Sequence, residues 1–587
     1  MDGISATEDK RHKLREERLR NEALTARDVL DFVKQGKITE ARHNLIFHTD
    51  PTLFSEKIDA LVGLMKQDFD KLREETRRHF FVFLTKLTLD LVSFLPHWNL
   101  KNKELHRGRV LADAVIDTRV RRNKEILHYW STQDQALAEA LLKEWTTENM
   151  GRFKVEGIND EREAEDLAAK LVGDSVTEYI NNMEDCFERS NLRRIGELRV
   201  FGQTETEIGN DHTTNLEYAM WLGASFVTTN PQLVEITWEL NPELWSSRVD
   251  EIVRSQYSVE DLSRLIDGGS KEQFEKVVEE INTDVTMEVV FENAKLLRGV
   301  FLLNDGEKGL VCLQVNPLRH SDADAMIKEA LYVYSKLTER FGGVPNIVFK
   351  LPATKAGLKA AKELTSKGIG VTITVSFGLF QSLPFADVIS KGNAIVSYLV
   401  VMNGRLADPI ISELKKLGGN LAQAGRWAGV AVAKRLYPKL YAPIDRGGRG
   451  YDSRRMRIIV ASLRNYEGSF PDITELIGVP IITVFPNIRR AFDSEEKEID
   501  PQAIKKPPDQ FILEGLLNSE LFRQACYIPE EGNDDVKPRS PFSLEDEEKV
   551  LEYPPVKNTL GQFCEYRIKM GELVKHHIST MHLNRLT

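Results

Sequence analysis

The sequence predicts an α/β protein built on a (β/α)8 barrel, with an all-helical N-terminal domain and a helical C-terminal extension. Three observations carry this. From about residue 195, short β-branched runs alternate with helix-length stretches. Eight such runs precede residue 490, enough to close a barrel of ordinary size. Before residue 190 the apolar residues recur instead at three- and four-residue spacing, as in Ile58, Leu61, Leu64 and Met65. At 587 residues the chain exceeds one core. The expected domains are 1–190, 195–490 and 491–587.

Asp9 to Arg20 is almost wholly polar and reads as a solvated or disordered lead-in. Helices are expected from Asp28, over Lys57 to Phe94, Ala136 to Trp145 and Ala164 to Ile180. The apolar run His79 to Leu100 is interrupted by Lys86, Asp90 and Pro96, so it reads as a buried helix and not a membrane span. The candidate strands are Leu198–Gln203, Ser225–Thr229, Gly309–Val315, Asn346–Lys350, Gly370–Ser376, Ala394–Val401, Arg457–Ser462 and Pro480–Val484. Pro242 to Leu303 is long for one crossover and should hold extra helices, and Leu421 to Leu436 reads as another. Beyond Pro486 two helices are expected, near Gln510–Cys526 and Leu560–His577, joined by an acidic connector over Val536 to Pro555.

Composition excludes several classes. A net charge of −11 argues against a general nucleic-acid or anionic-membrane binder. Cys186, Cys312, Cys526 and Cys564 are scattered without metal or CxxC spacing, and the charged N-terminus lacks the apolar core of a signal peptide. A soluble, cytoplasmic protein is expected. No nicotinamide, ATP or zinc motif is present, and His106, Asp113, Asp117 and His128 are spaced too irregularly for a metal site, so no cofactor or metal is expected. The helical N-terminal domain carries no chemistry-bearing motif and is the candidate surface for a homo-oligomer or protein partner.

The chemistry centres on Asn346-Ile-Val-Phe-Lys350-Leu-Pro352, a buried strand ending on a lysine. Burying an ammonium costs several kcal/mol unless it is paired or deprotonated, and deprotonation makes it a nucleophile for carbonyl carbon. Barrel active sites form at the C-terminal strand ends. Reading those ends gives Thr228 and Asn230, Gln314 and Asn316, Lys350, then Thr372, Thr374 and Ser376, with Arg405 and Arg464 following strands six and seven. Polar residues two apart share a face, where apolar residues should fill the barrel, and guanidinium suits phosphate. The loop Arg446 to Arg457 enters strand seven from the opposite end and reads as a solvated or interface loop.

Six segments together resemble the transaldolases, class I Schiff-base enzymes. They are Phe226-Val-Thr-Thr-Asn-Pro-Gln-Leu233, Val311-Cys-Leu-Gln-Val-Asn-Pro317, Val348-Phe-Lys-Leu-Pro-Ala-Thr354, Gly368 to Ser376, Asn403-Gly-Arg405 and Ala461-Ser-Leu-Arg-Asn465. The resemblance spans about residues 197–490. It implies that Lys350 forms an iminium with a ketose, usually phosphorylated, and that a three-carbon ketol unit passes to an aldose in sugar metabolism of the pentose phosphate kind. It implies further that Asn230 holds hydroxyls of the ketol unit, that Thr374 helps to place a water, and that Arg405 and Arg464 bind the phosphate with Ser462 assisting; Thr228, at the end of strand two, is a further substrate-binding candidate.

The sequence also departs from that family. On the expected strand one, Gln203 takes the place of the family's basic aspartate, and Gln314 that of its strand-three glutamate. Val400 stands where a serine is expected ahead of Arg405. Glutamine cannot relay protons, so Glu205, Glu207 or Asp211 is left to supply a carboxylate. Gln314 resembles the related fructose-6-phosphate aldolases, which gives a lyase as one alternative; a sugar-phosphate-binding or scaffold protein with impaired chemistry is the other.

Overall fold

The computed structural model describes residues 6–93, 103–108, 110–258, 270–418, 421–528 and 543–586, with 261, 264 and 266. Eight parallel strands close into a barrel in chain order: β1 (Glu207–Asn210), β2 (Ala224–Val227), β3 (Leu310–Gln314), β4 (Ile347–Pro352), β5 (Val371–Thr374), β6 (Ser397–Met402), β7 (Met456–Ala461) and β8 (Ile481–Val484). β1 pairs with both β2 and β8, which completes the ring. Helices such as Ala323–Phe341 and Lys355–Ser366 cover it outside. Every strand residue is buried, the reason most of these strands read as continuous apolar or β-branched runs. Inside, Phe226 meets Tyr398 with ring centroids 4.7 Å apart, and both rings are shut off from solvent.

The expected first strand is a correction. Leu198 to Val200 end the helix Asn191–Val200, which Ser190 caps by accepting from the Arg193 N–H. Leu192, Ile195, Gly196 and Arg199 are its buried residues, at helical spacing. Gln203 follows on an exposed turn before β1, where its carbonyl accepts from Gln502 Nε2. It therefore lies at the N-terminal end of the barrel, away from Lys350. The true β1 holds Glu, Gly and Asn, residues poor in strand propensity. They are tolerated because each is locally satisfied. Glu207 accepts from Arg457 and Ser225 at 2.7 Å each, and Asn210 Nδ2 donates to the carbonyls of His212 and Thr214. A Cβ on Gly209 would come within 2.7 Å of Thr483 Cγ2, so the strand needs glycine there.

The polar lead-in is a second correction. Ala6–Glu22 is a helix seated under the barrel, with Leu14 fully buried. Lys10 Nζ donates to the Gly368 carbonyl at 2.6 Å, Arg18 reaches Asp305 at 2.9 Å, and Arg298 reaches Glu17 at 2.6 Å. One hydrogen bond and two ion pairs, to the loops entering β3 and β5 and to the helix Lys271–Leu303, hold a helix with little apolar surface. The stretch Ala164–Ile180 is two helices, Glu161–Val172 and Val176–Glu188, broken at Gly173 with φ +67. Trp130 stacks on Phe69 at 4.8 Å in the core of the helical domain.

Pro242 to Leu303 does hold extra helices, Pro242–Gln256 and the 33-residue Lys271–Leu303. Leu421–Leu436 divides into Leu421–Gly425 and Ala428–Tyr441, and Gln510–Cys526 into Gln510–Leu516 and Glu520–Cys526. The last helix, Pro554–Leu586, packs on the barrel against Pro231–Leu240, Lys271–Leu303 and Asn403–Leu417. Residues 94–100 of the apolar run and 536–542 of the connector lie outside the described residues, and the connector's remainder contains a helix, Glu547–Glu552. Among the described residues no helix is long and apolar enough to cross a membrane.

Candidate active site

β4 runs through Lys350 to Pro352, two residues past the expected end, with Lys350 opposite Gln314 of β3 and Thr372 of β5. Lys350 is 4% exposed, and its Nζ donates to the Thr229 carbonyl at 3.0 Å. Burial pushes its pKa down, Cys312 and Asp211 oppose that shift, and Arg405 adds to it. The amine is therefore held closer to its neutral, nucleophilic form than a surface lysine.

The carboxylate beside it is Asp211, the residue that follows β1. Its N–H donates to the Val484 carbonyl at 3.1 Å, which carries the β1–β8 ladder one step further. The carboxyl accepts from Thr228 Oγ1 and from the Ser462 N–H. Burial raises its pKa, while Lys350 and these donors pull it back. Thus the strand-one position empty of a carboxylate on the expected register is filled once β1 is placed correctly. Of the other two candidates, Glu207 sits at the opposite end of β1, held by Arg457 at 2.7 Å and by Arg199 and Lys308 at 3.2 Å. Burial pushes its pKa up, but Arg199 and Arg457 outweigh that and hold it at about 2. Glu205 is exposed before β1 and, like Glu207, lies away from Lys350.

Gln314, 7% exposed, has a buried Oε1 with no hydrogen-bond partner. Thr374 is fully buried with Oγ1 3.7 Å from Met402 Sδ. Asn230 caps Pro231–Leu240, its Oδ1 accepting from the Leu233 N–H at 3.1 Å, which commits the oxygen and leaves Nδ2. Thr228 is committed to Asp211.

Arg405 and Arg464 are neighbours, close enough that Arg464 helps to lower the pKa of Arg405 after burial. Arg405 stands in the first turn of Asn403–Leu417, where the helix N-terminus adds to the positive potential. Arg464 pairs with Asp408 at 2.8 Å and donates to the Ser462 carbonyl at 3.0 Å. The backbones close tightly here. A Cβ on Gly404 would lie 2.4 Å from that carbonyl, and Ser462 takes φ +58.

The helix Pro554–Leu586 covers this face, a feature that sequence reasoning missed. The Phe563 ring lies 5.9 Å from Lys350 Nζ and 5.3 Å from the Arg405 guanidinium, Gln562 Oε1 accepts from Arg405, and Tyr566 OH accepts from Gln232 at 3.1 Å. No local pattern announces these contacts, because they join elements about 150 to 330 residues apart.

A buried lysine, a facing carboxyl and paired arginines at the C-terminal ends of eight strands define a lysine-centred (β/α)8 barrel. The chain belongs to the transaldolase/fructose-6-phosphate aldolase family, whose profile matches residues 208–525. That match begins within β1 and leaves Gln203 outside. Similar proteins include a transaldolase of Mycolicibacterium paratuberculosis, 29% identical over 207 residues, covering 31% of this chain and 53% of the relative. A transaldolase of Acidothermus cellulolyticus is 26% identical over 268 residues, 42% of this chain and 67% of the relative. One of Mycolicibacterium smegmatis is 31% identical over 168 residues, 26% of this chain and 43% of the relative. The chain thus spans about half the length of the first of these relatives.

Proposed function

We propose that the protein is a Schiff-base transferase that moves a three-carbon ketol unit from a phosphorylated ketose to an aldose. The observation that carries the reading is Asp211, a buried carboxyl in electrostatic contact with the buried Lys350 amine. The neutral amine attacks the ketose carbonyl, and loss of water gives the iminium. Asp211 takes the proton from the hydroxyl beyond the bond to be cut. The carbon–carbon electron pair moves into the iminium, the aldose leaves, and the enamine stays on Lys350. The enamine carbon then attacks the acceptor aldehyde, Asp211 returns its proton to the new hydroxyl, and water releases the product.

Arg405 and Arg464 take the phosphate with the Ser462 hydroxyl, Asn230 Nδ2 holds a hydroxyl of the ketol unit, and Thr374 places the water. The Arg405 partner on Pro554–Leu586 gives way when phosphate arrives, since guanidinium binds phosphate more strongly than a neutral amide. Gln203 has no role in this scheme.

Gln314 favours a second reading, a lyase resembling fructose-6-phosphate aldolase. Glutamine cannot pass a proton through water, although its unpartnered Oε1 can accept a hydrogen bond from one. The test is borohydride reduction in the presence of fructose 6-phosphate or dihydroxyacetone, followed by peptide mapping, with Lys350→Ala as control. A three-carbon adduct on Lys350 is expected, and less of it when an aldose phosphate is added before the borohydride and takes the unit from the enamine. Release of free dihydroxyacetone without an acceptor would favour the lyase. A folded protein that gives no adduct across a panel of ketoses and their phosphates would refute both.

A further inference from the structure

β2 and β3 are paired at two positions, Phe226 with Leu310 and Val227 with Val311. Beyond them a side chain ties the two strands together. Thr229, fully buried, donates its hydroxyl to the Cys312 carbonyl of β3 at 2.6 Å. The same chain end is held on its other side, where the Thr228 N–H donates to the Asn210 carbonyl of β1 at 3.1 Å. The chain then enters the helix Pro231–Leu240, whose first turn uses the Asn230 carbonyl and side chain.

The Thr229 carbonyl is left between strand and helix. Among the described residues no backbone N–H reaches it, and its donor is Lys350 Nζ at 3.0 Å. This is also the one hydrogen bond of the amine among those residues. A carbonyl oxygen only accepts, so the amine donates to it. In the neutral amine the lone pair therefore points away from Thr229. One residue ties β2 to β3 by its side chain and fixes the β4 lysine by its main chain.

We propose, on the Schiff-base reading above, that the Thr229 hydroxyl is a positioning group: by pinning the end of β2 it aims the Thr229 carbonyl at Lys350 Nζ and so directs the lone pair of the amine. The contact outlasts the condensation. When the amine adds to a ketone, takes up a proton and loses water, the nitrogen keeps one N–H, and the iminium donates that N–H to the same carbonyl. A carbonyl dipole fixed there favours the cationic nitrogen of the ammonium and of the iminium alike.

Thr229→Val keeps the shape of the side chain and removes the hydroxyl, whereas Thr229→Ser keeps the hydroxyl. Each is compared with the native full-length protein by the rate of borohydride trapping with dihydroxyacetone across pH. Cys312, Asp211 and Arg405, the titratable and charged groups that act on the amine, are the same in all three. Thr229→Val loses the aim of an acceptor that favours the ammonium, so its trapping midpoint should move to lower pH by about 0.5–1 unit. Above the midpoint the amine is neutral in every variant, and there trapping by Thr229→Val should slow about tenfold or more, because the lone pair is no longer held in line. Thr229→Ser should match the native protein in both readings.

A hydroxyl that served stability alone would lower the denaturant midpoint of Thr229→Val and leave its trapping midpoint and rate as in the native protein. That result would overturn the proposal, and so would a Thr229→Ser as impaired as Thr229→Val. Thr229→Ala, which also lacks the hydroxyl and sets no extra methyl against the Cys312 carbonyl, takes the same test should Thr229→Val fail to fold. A native protein that gives no adduct with any ketose refutes the Schiff-base reading instead. The positioning is then decided by crystal structures of the native protein and the variant. Lys350 Nζ is expected to leave hydrogen-bond reach of the Thr229 carbonyl when the hydroxyl is removed, and an amine still seated on it would overturn the proposal.

Discussion

Replacing Asp211 by asparagine separates the two halves of the proposed chemistry. Asparagine keeps the shape and an oxygen able to accept from Thr228 Oγ1 or the Ser462 N–H, so the barrel end should fold as before. It removes the only proton acceptor the scheme uses, and general-base catalysis contributes about 10²–10⁴-fold, or about 3–5 kcal/mol of barrier. The turnover number for fructose 6-phosphate with an aldose phosphate should fall by that factor. Lys350 should respond in the opposite sense. The Asp211 charge raises the pKa of Lys350 against burial, so its loss lets burial act less opposed and the pKa drops further. The amine is then neutral at lower pH, and the midpoint of borohydride trapping with dihydroxyacetone should move to lower pH while trapping at neutral pH persists. Trapping across pH and steady-state turnover on the same preparation read both effects. Turnover within threefold of the native protein would refute the assignment of Asp211, and a trapping midpoint that rose would refute the electrostatic argument.

Arg405→Ala removes a charge-assisted contact worth about 1.5–3 kcal/mol, so KM for a phosphorylated ketose should rise roughly 10–150-fold while trapping with dihydroxyacetone changes little; equal losses for both would place Arg405 outside phosphate binding. Phe563→Ala deletes a ring 1% exposed at a cost of about 3–5 kcal/mol, read as a shift in denaturant midpoint, and admits water to Lys350, so the trapping midpoint should rise in pH. Glu207→Gln leaves Arg457, Arg199 and Lys308 facing a neutral amide, and should cost about 3–5 kcal/mol of stability with catalysis intact in the folded fraction. The native carboxyl, held at about 2, lies below its unfolded value of about 4.3. The stability it lends is complete above that value and is lost as pH falls towards 2, so the two proteins should converge in that window.

How much of this could be read in advance depended on what each residue rests against. β2 to β8 announced themselves because strands buried on both faces select β-branched and apolar residues, and Lys350 stood out against that background. β1 did not, because its residues are suited to their neighbours and not to strands: Glu207 to Arg457, Gly209 to the close approach of Thr483. Leu198-Arg-Val-Phe alternates well enough for a strand, yet its preceding residues supply a helix cap and a helical apolar face. That shift of about eight residues is what made Gln203 stand where Asp211 belongs. The cover from Phe563 was illegible for a different reason: a ring on a helix 213 residues after Lys350 gains its meaning from tertiary placement alone.

The added segments act on opposite ends of the barrel, and the physical need differs at each. A polar layer of Asp211, Thr228, Gln314, Lys350 and Thr374 replaces an apolar one at the C-terminal ends of the strands, which costs packing there and leaves the loops to be held by other means. The helical domain holds the β1 loop through Glu217 to Arg42 and Lys86, and Arg489 after β8 through Glu156 at 2.8 Å. The last helix holds the start of the helix after β2 through Gln232 and that after β6 through Arg405. At the other end, where Glu207 and its cations are already closed on one another, the N-terminal helix has only to fasten the loops that enter the strands. In the proposed chemistry Lys350 needs a dry surround to stay a nucleophile and an opening to meet its substrate. A cover made of one ring and one neutral amide supplies the first, and a phosphate can displace its hold on Arg405 to supply the second.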